Sequence, residues 1–192
     1  ARLPLWAPAD HHLGRMILMA EERKRGLEVA TAVGVDPAIV VGSQARVPFG
    51  IGEFHVAGGL RGSAVKLTKC ETIDVEIPAF AEVVIGGVSI PGERVGDGPY
   101  GEYPGCYSGA KQAPVLKGTA ITMRKNPIWQ TALTGMPVTE NHTLIEYGNA
   151  AVVYREVKKI VAEVRGVNMT PGGTFRHHVV VSIKKRAENE GR

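Results

Sequence analysis

Three features of the 192-residue sequence predict an α+β fold. Hydrophobic residues make up 44% of it, enough for a full core. Short segments rich in β-branched or alternating residues are interspersed with a few stretches that carry apolar side chains at helical spacing. The 24 glycines and 12 prolines supply the turns between them. No repeat or linker-like composition divides the chain, so it reads as a single core domain over residues 1–183 followed by a polar tail over 184–192.

After a Pro-punctuated start, Asp10 to Arg25 reads as an amphipathic helix, with Asp10 as N-cap, Gly26 as stop, and Leu13, Met16, Ile17 and Ala20 on one face. Val29 to Val35 reads as a buried strand. Asp36-Pro37 then pairs a capping residue with proline at the first helical position, opening a short helix that ends near Gly42. A loop over Gly42 to Gly50 leads to a helix from Glu53 to Leu60, with Phe54, Ala57 and Leu60 on one side. Strands are expected at Ala64 to Lys69, Asp74 to Ile77 and Glu82 to Ile90, the last bulged at Gly86-Gly87. Pro91 to Gly109 is so rich in Gly and Pro that it reads as a long functional loop. Val115 to Lys125 is the next strand and Gly135 to Val138 a turn. Asn149 to Arg165 carries Val152, Val153, Val157, Ile160, Val161 and Val164 at helical spacing, and His178 to Ile183 closes the core as a strand.

Composition narrows function. The 23 Lys+Arg against 19 Asp+Glu leave a charge of only +4, dispersed along the chain, so no nucleic-acid partner is implied. The most apolar stretch, Val29 to Val41, is broken by Asp36 and Pro37 and falls short of the roughly 20 residues that span a bilayer, so no membrane segment is expected. Cys70 and Cys106 have no second cysteine at ligand spacing and read as free thiols of a reducing, cytoplasmic compartment.

Three groups of residues have chemical potential. Gly96-Asp97-Gly98-Pro99-Tyr100-Gly101-Glu102 presents two carboxylates from an irregular backbone, which suits a proton donor and its partner and equally suits a solubilising turn. His11 and His12 open one helix and Glu53 another; an imidazole and a carboxylate can share a hard divalent ion, or serve as ordinary helix-start residues. The small residues of Gly42-Ser43-Gln44-Ala45-Arg46 allow close main-chain approach to an anion or cofactor, without matching either the GxxxxGK[ST] or the GxGxxG pattern. His177 and His178 read as structural, and no Gly-x-Ser-x-Gly or HExxH motif is present.

In this order, the segments His11-His12-Leu13-Gly14, Val33-Gly34-Val35-Asp36-Pro37-Ala38, the Gly42 to Glu53 loop, Lys69-Cys70 with Asp74, Val75 to Ile85, Pro91-Gly92-Glu93 through Asp97 to Glu102, and Glu140-Asn141-His142 resemble the UbiD family of reversible decarboxylases. The resemblance implies a split β-barrel of FMN-binding type with flanking helices. It also implies prenylated FMN, a divalent ion (Mn²⁺ or Mg²⁺) and a monovalent ion (K⁺), with non-oxidative decarboxylation of an unsaturated or aromatic carboxylic acid. His12 and Glu53 match the family's metal ligands. Gly42, Ser43 and Ala45 match positions lining the cofactor phosphate and the monovalent ion. Thr134 and Ile145 match positions beside the flavin rings. His11, Gln44, Arg46 and Val47 complete the cofactor-binding set that the match implies. Asp97 and Glu102 match the two catalytic acids, with Glu102 the proton donor; among apolar walls such a carboxyl stays protonated and able to donate.

The chain also departs from the family pattern. Arg46 stands where several relatives have Pro, His11 where Gln is frequent, and Asp97 is one methylene shorter than the usual Glu. The family's Asn ligand and catalytic Arg lie farther upstream than the eleven residues that precede His12, and the C-terminal dimerisation region has no match. A partner subunit or further chain, or a homo-oligomer, is therefore expected to complete the enzyme. Two other readings are a decarboxylase of a phosphorylated isoprenoid precursor, suited by Arg46 and a pI of about 9.1, and a non-catalytic assembly subunit that keeps the fold.

Overall fold

The computed structural model describes residues 2–45, 47, 50–186 and 188. Arg46 and most of the polar tail lie outside them. The fold is mixed, with antiparallel sheets and four α-helices among the described residues. It separates into two compact units, one of residues 1–36, 66–100 and 108–131, the other of residues 37–65, 101–107 and 132–192.

The first unit contains β1 (Arg2–Pro4), α1 (His12–Glu22), β2 (Glu28–Val33), β3 (Leu67–Lys69), β4 (Glu76–Pro78), β5 (Val83–Asp97) and β6 (Lys111–Met123). Its main sheet has the order β1-β6-β5-β2 with every pairing antiparallel, and β3 pairs β4 separately. No closed barrel forms among the described residues. Val83, Val84, Ala113, Val115 and Leu116 of the sheet are buried, together with Ile17 and Ala20 of α1. The expected bulge is present: the β5–β6 register shifts between Gly86 and Gly87, and a Cβ on Gly87 would meet the Lys117 carbonyl at 2.5 Å.

Two expectations for this unit fail. Pro91 to Asp97 is not loop but the second half of β5, with Arg94 to Asp97 paired to Pro114 to Lys111 after a second irregularity. Pro and Gly are tolerated there because tertiary contacts replace local propensity: Glu21 of α1 accepts from Arg94 at 2.8 and 3.0 Å and from the Gly92 amide at 3.0 Å. The hydrogen bond and charge of Arg94 hold the Glu21 carboxyl below the usual carboxylate range. The expected helix over Asp10 to Arg25 is shorter, its N-cap is His11 rather than Asp10, and Met16 is exposed.

The second unit contains α2 (Pro37–Gly42), α3 (Glu53–Arg61), α4 (Glu140–Val157), β7 (Val164–Met169), a 3₁₀ turn (Pro171–Gly173) and β8 (Val179–Ile183), with β7 and β8 antiparallel. Ala57, His142, Ile145, Met169 and Phe175 are buried in it. On α3 only Ala57 of the expected face is covered; Phe54 and Leu60 are exposed. The expected helix over Asn149 to Arg165 is displaced: α4 begins at Glu140 and stops at Val157, Ile160 is 89% exposed, and Val164 starts a strand. Val161 and Val164 fit helical spacing, but the β-branched Val164 and Val167 equally suit the hairpin with β8 that tertiary pairing selects.

Cys70 and Cys106 are free thiols, the first half-buried and the second exposed. No helix among the described residues is long and apolar enough to cross a membrane.

Candidate functional site

In the first unit, His11 sits in extended backbone as the N-cap of α1 and donates its amide to the Pro8 carbonyl at 2.9 Å. His12, the first helical residue, is exposed, and no hydrogen bond or ion pair among the described residues engages its ring. The turn is folded so tightly that a Cβ on Gly14 would stand 2.0 Å from the Pro8 carbonyl oxygen. Glycine at 14 is thus what lets residues 7–12 cross the helix start. Asp97 is the last residue of β5, opposite Lys111, and its Oδ2 accepts from the Tyr100 hydroxyl at 3.4 Å. It is half-buried and comes from a regular strand, not from the irregular loop the sequence suggests.

The remaining candidates belong to the second unit. After α2 the chain turns back on itself: the amides of Ser43, Gln44 and Ala45 donate to the carbonyls of Ile39, Val41 and Gly42 at 2.8, 3.1 and 3.0 Å. Ser43 Oγ donates to the Val40 carbonyl, and Gln44 Nε2 donates to Ser43 Oγ. With these donors committed, residues 43–45 have no row of free amides for a phosphate, and hydroxyl and carbonyl oxygen is what they offer to a cation. Gly42 owes its small size to packing, since a Cβ there would lie 3.1 Å from the Ala57 nitrogen on α3. Val47 is half-buried.

Glu53 is exposed as the first residue of α3, with no side-chain partner among the described residues. Behind it, His55 Nδ1 accepts the Gly52 amide at 3.1 Å and steadies the helix start. The sequence reading missed His55. Among the described residues no group of three or more His, Cys, Asp or Glu side chains gathers as a ligand set. What His12 and Glu53 have is suitable chemistry: an exposed imidazole and an exposed carboxylate, neither engaged among the described residues.

Glu102 stands on a short hairpin. Gly101 bridges Tyr107, the Glu102 amide donates to the Cys106 carbonyl at 2.9 Å, and the Gly105 amide donates to the Glu102 carbonyl at 3.0 Å. Gly105 has φ +86°, a conformation that favours glycine, and faces Met136 and Pro137. Thr134 is exposed, and its carbonyl lies beside Gly101, so the structure brings Thr134 to the hairpin that carries Glu102. The Glu102 carboxylate is half-buried and makes no hydrogen bond or ion pair among the described residues. Ile145 is buried on α4, one turn from His142.

The hairpin is fastened by His142, which the sequence placed only within a family-matching segment, and by His177, which it marked as structural. His142 is 1% exposed; its Nε2 lies 2.6 Å from the Tyr103 carbonyl, and its Nδ1 faces the Thr139 amide at 3.1 Å and the Thr139 hydroxyl at 2.8 Å. Tyr103 also meets His177 through its hydroxyl at 3.1 Å, and Arg176 lies 4.1 Å over its ring. The signal was Thr139-x-x-His142, the spacing of a capping box with histidine in the acceptor position.

Comparisons with known proteins agree with this architecture. The family model for the 3-octaprenyl-4-hydroxybenzoate carboxy-lyase Rift-related domain matches residues 2–137, and that for the C-terminal domain of the same enzyme class matches residues 142–192, so the chain does carry sequence of the family's C-terminal domain, contrary to the expectation from the sequence that this region has no match. An uncharacterised protein of Archaeoglobus fulgidus is 36% identical over 183 residues, covering 94% of this chain and 37% of the relative. The UbiD-class enzyme HmfF of Pelotomaculum thermopropionicum, solved in complex with FMN, superposes with a TM-score of 0.90 at 40% identity over 98% of this chain and 42% of HmfF. An evolved dimeric form of HmfF in complex with prFMN gives 0.91. Vanillic acid decarboxylase of Sedimentibacter hydroxybenzoicus gives 0.87 at 31% identity, over 96% of this chain and 40% of that one. The chain thus spans about two-fifths of the length of these proteins.

Proposed function

The chain belongs to the UbiD family of carboxy-lyases, and on that premise we propose that it forms part of a decarboxylase for an unsaturated or aromatic carboxylic acid, dependent on prenylated FMN and a divalent ion. The observation that carries this reading is the hairpin from Gly101 to Tyr107, which holds the Glu102 carboxylate half-buried on fixed backbone with no protein partner among the described residues. A carboxyl so placed is free to exchange a proton with a substrate.

Prenylated FMN supplies the electron sink that loss of CO₂ demands. Glu102 delivers a proton to the substrate carbon that CO₂ leaves, and takes one back in the carboxylating direction. Asp97, held by the Tyr100 hydroxyl, is the second acid. His12 and Glu53 would supply an imidazole and a carboxylate to Mn²⁺ or Mg²⁺, and Gly42, Ser43 and Ala45 would border the flavin phosphate and a K⁺, as the family resemblance implies. His11, Gln44, Val47 and Ile145 support this set, and Thr134 lies beside the acid's hairpin. The four-stranded sheet is read as the core of a split barrel, and residues 1–183 as one catalytic piece. This piece works within a homo-oligomer or with a partner subunit.

The test is CO₂ release from a panel of aromatic and unsaturated acids, with an ultraviolet-visible and mass spectrum of the purified protein. Glu102→Gln is expected to retain the flavin and lose turnover by about 10²–10⁴-fold. Near-parental rates would refute the role of Glu102. A parent that holds flavin yet never turns over, even with the completing chain added, would favour an assembly subunit.

A further inference from the structure

We propose that His142 is a positioning residue for Glu102, acting through the main-chain carbonyl of Tyr103; the functional half of this inference rests on the reading of Glu102 as the acid. A carbonyl only accepts, so the 2.6 Å contact requires that the His142 proton be on Nε2. Nδ1 is then the acceptor for the Thr139 amide and hydroxyl. One buried ring therefore ties the N-cap of the 18-residue helix α4 to the residue that follows Glu102 in the hairpin.

The surrounding backbone is committed to the same end. Phe175, 6% exposed, packs with its ring centroid 5.8 Å from that of His142. It gets there through two successive non-glycine residues in the left-handed region, Thr174 at φ 51° and Phe175 at φ 58°. The buried Thr174 hydroxyl has no hydrogen-bond partner among the described residues. Strained backbone and an orphaned hydroxyl persist where neighbouring packing dictates the path, and here that path ends behind His142.

The two ring nitrogens permit a test that separates positioning from helix capping. In His142→Gln the amide nitrogen takes the place of Nε2 and still reaches Tyr103. In His142→Asn the shorter amide takes the place of Nδ1, serves Thr139 and falls short of Tyr103. Amide hydrogen exchange is read on the full 192-residue chain without cofactor. The Asn variant is expected to exchange about tenfold faster at Glu102 and Gly105, and the Gln variant to stay within about threefold of the parent. In the completed enzyme the Asn variant lowers kcat with little change in KM, and the Gln variant restores it.

Equal loosening in both variants, loosening in neither, or the reverse order would overturn the positioning role. The exchange result does not depend on chemistry. If it holds while Glu102→Gln keeps its turnover, the acid assignment fails and the clamp on the hairpin stands.

Discussion

Replacing Gly14 with alanine sets two effects of opposite sign against each other. Alanine within a helix gains roughly 0.5–1 kcal/mol over glycine. At this position, however, the added Cβ would lie 2.0 Å from the Pro8 carbonyl oxygen, where real contacts essentially never fall below 3.0 Å, so helix start and preceding turn must separate by at least the 1.0 Å difference. That movement breaks or stretches the His11 amide to Pro8 carbonyl bond, worth about 1 kcal/mol, and carries an overpacking cost of about 1–3 kcal/mol. The clash wins: a net loss of about 2 kcal/mol is expected, a fall in Tm of roughly 4–8 °C for a chain of this size. Gly59 in α3 is the control, because a Cβ there meets nothing within 4 Å. The same substitution at 59 is expected to raise Tm by about 1–4 °C. Thermal melts followed by circular dichroism decide it. A Gly14→Ala protein that melts at or above the parent would refute the argument that backbone crossing, not helix propensity, fixes the glycine two residues after His12.

Other expectations follow from single contacts. Glu21→Gln leaves Arg94 and the Gly92 amide with a weaker acceptor and is expected to lose about 1–2 kcal/mol at pH 7. Because Arg94 depresses the folded-state pKa of Glu21, that stabilisation is complete above the ordinary glutamate range near ~4.3 and disappears as pH falls through the depressed value. Urea midpoints of parent and variant should therefore converge in acid, and a gap that widens there would contradict the assignment. Gly148 faces the Gln44 carbonyl, with a Cβ landing 3.0 Å from it, so Gly148→Val pushes the turn at residues 43–45 off α4. It should cost about 1–3 kcal/mol and speed amide exchange at Ser43, Gln44 and Ala45, with unchanged exchange counting against the contact.

The sequence by itself determined whatever depends on neighbours along the chain. Pro37 after Asp36 starts α2, Gly62 in left-handed backbone ends α3, paired glycines mark the β5 bulge, and the ordered motifs identify the family. It also offered Glu102 as a candidate, through its place in a glycine-rich run and the family resemblance of that run. Tertiary structure decided the rest. Pro91 to Asp97 became strand because Glu21, seventy-three residues from Arg94, fixes the irregular stretch of β5. The apolar spacing from Val157 to Val164 did not extend a helix because β8 offers a pairing that intrinsic preference cannot foresee. The Ser43 to Ala45 amides, open to an anion on paper, are consumed by the end of their own helix. His142 stands in a family-matching segment, but its link to the hairpin exists only when folding buries it against a carbonyl thirty-nine residues away, where an unmade hydrogen bond is far costlier than in water.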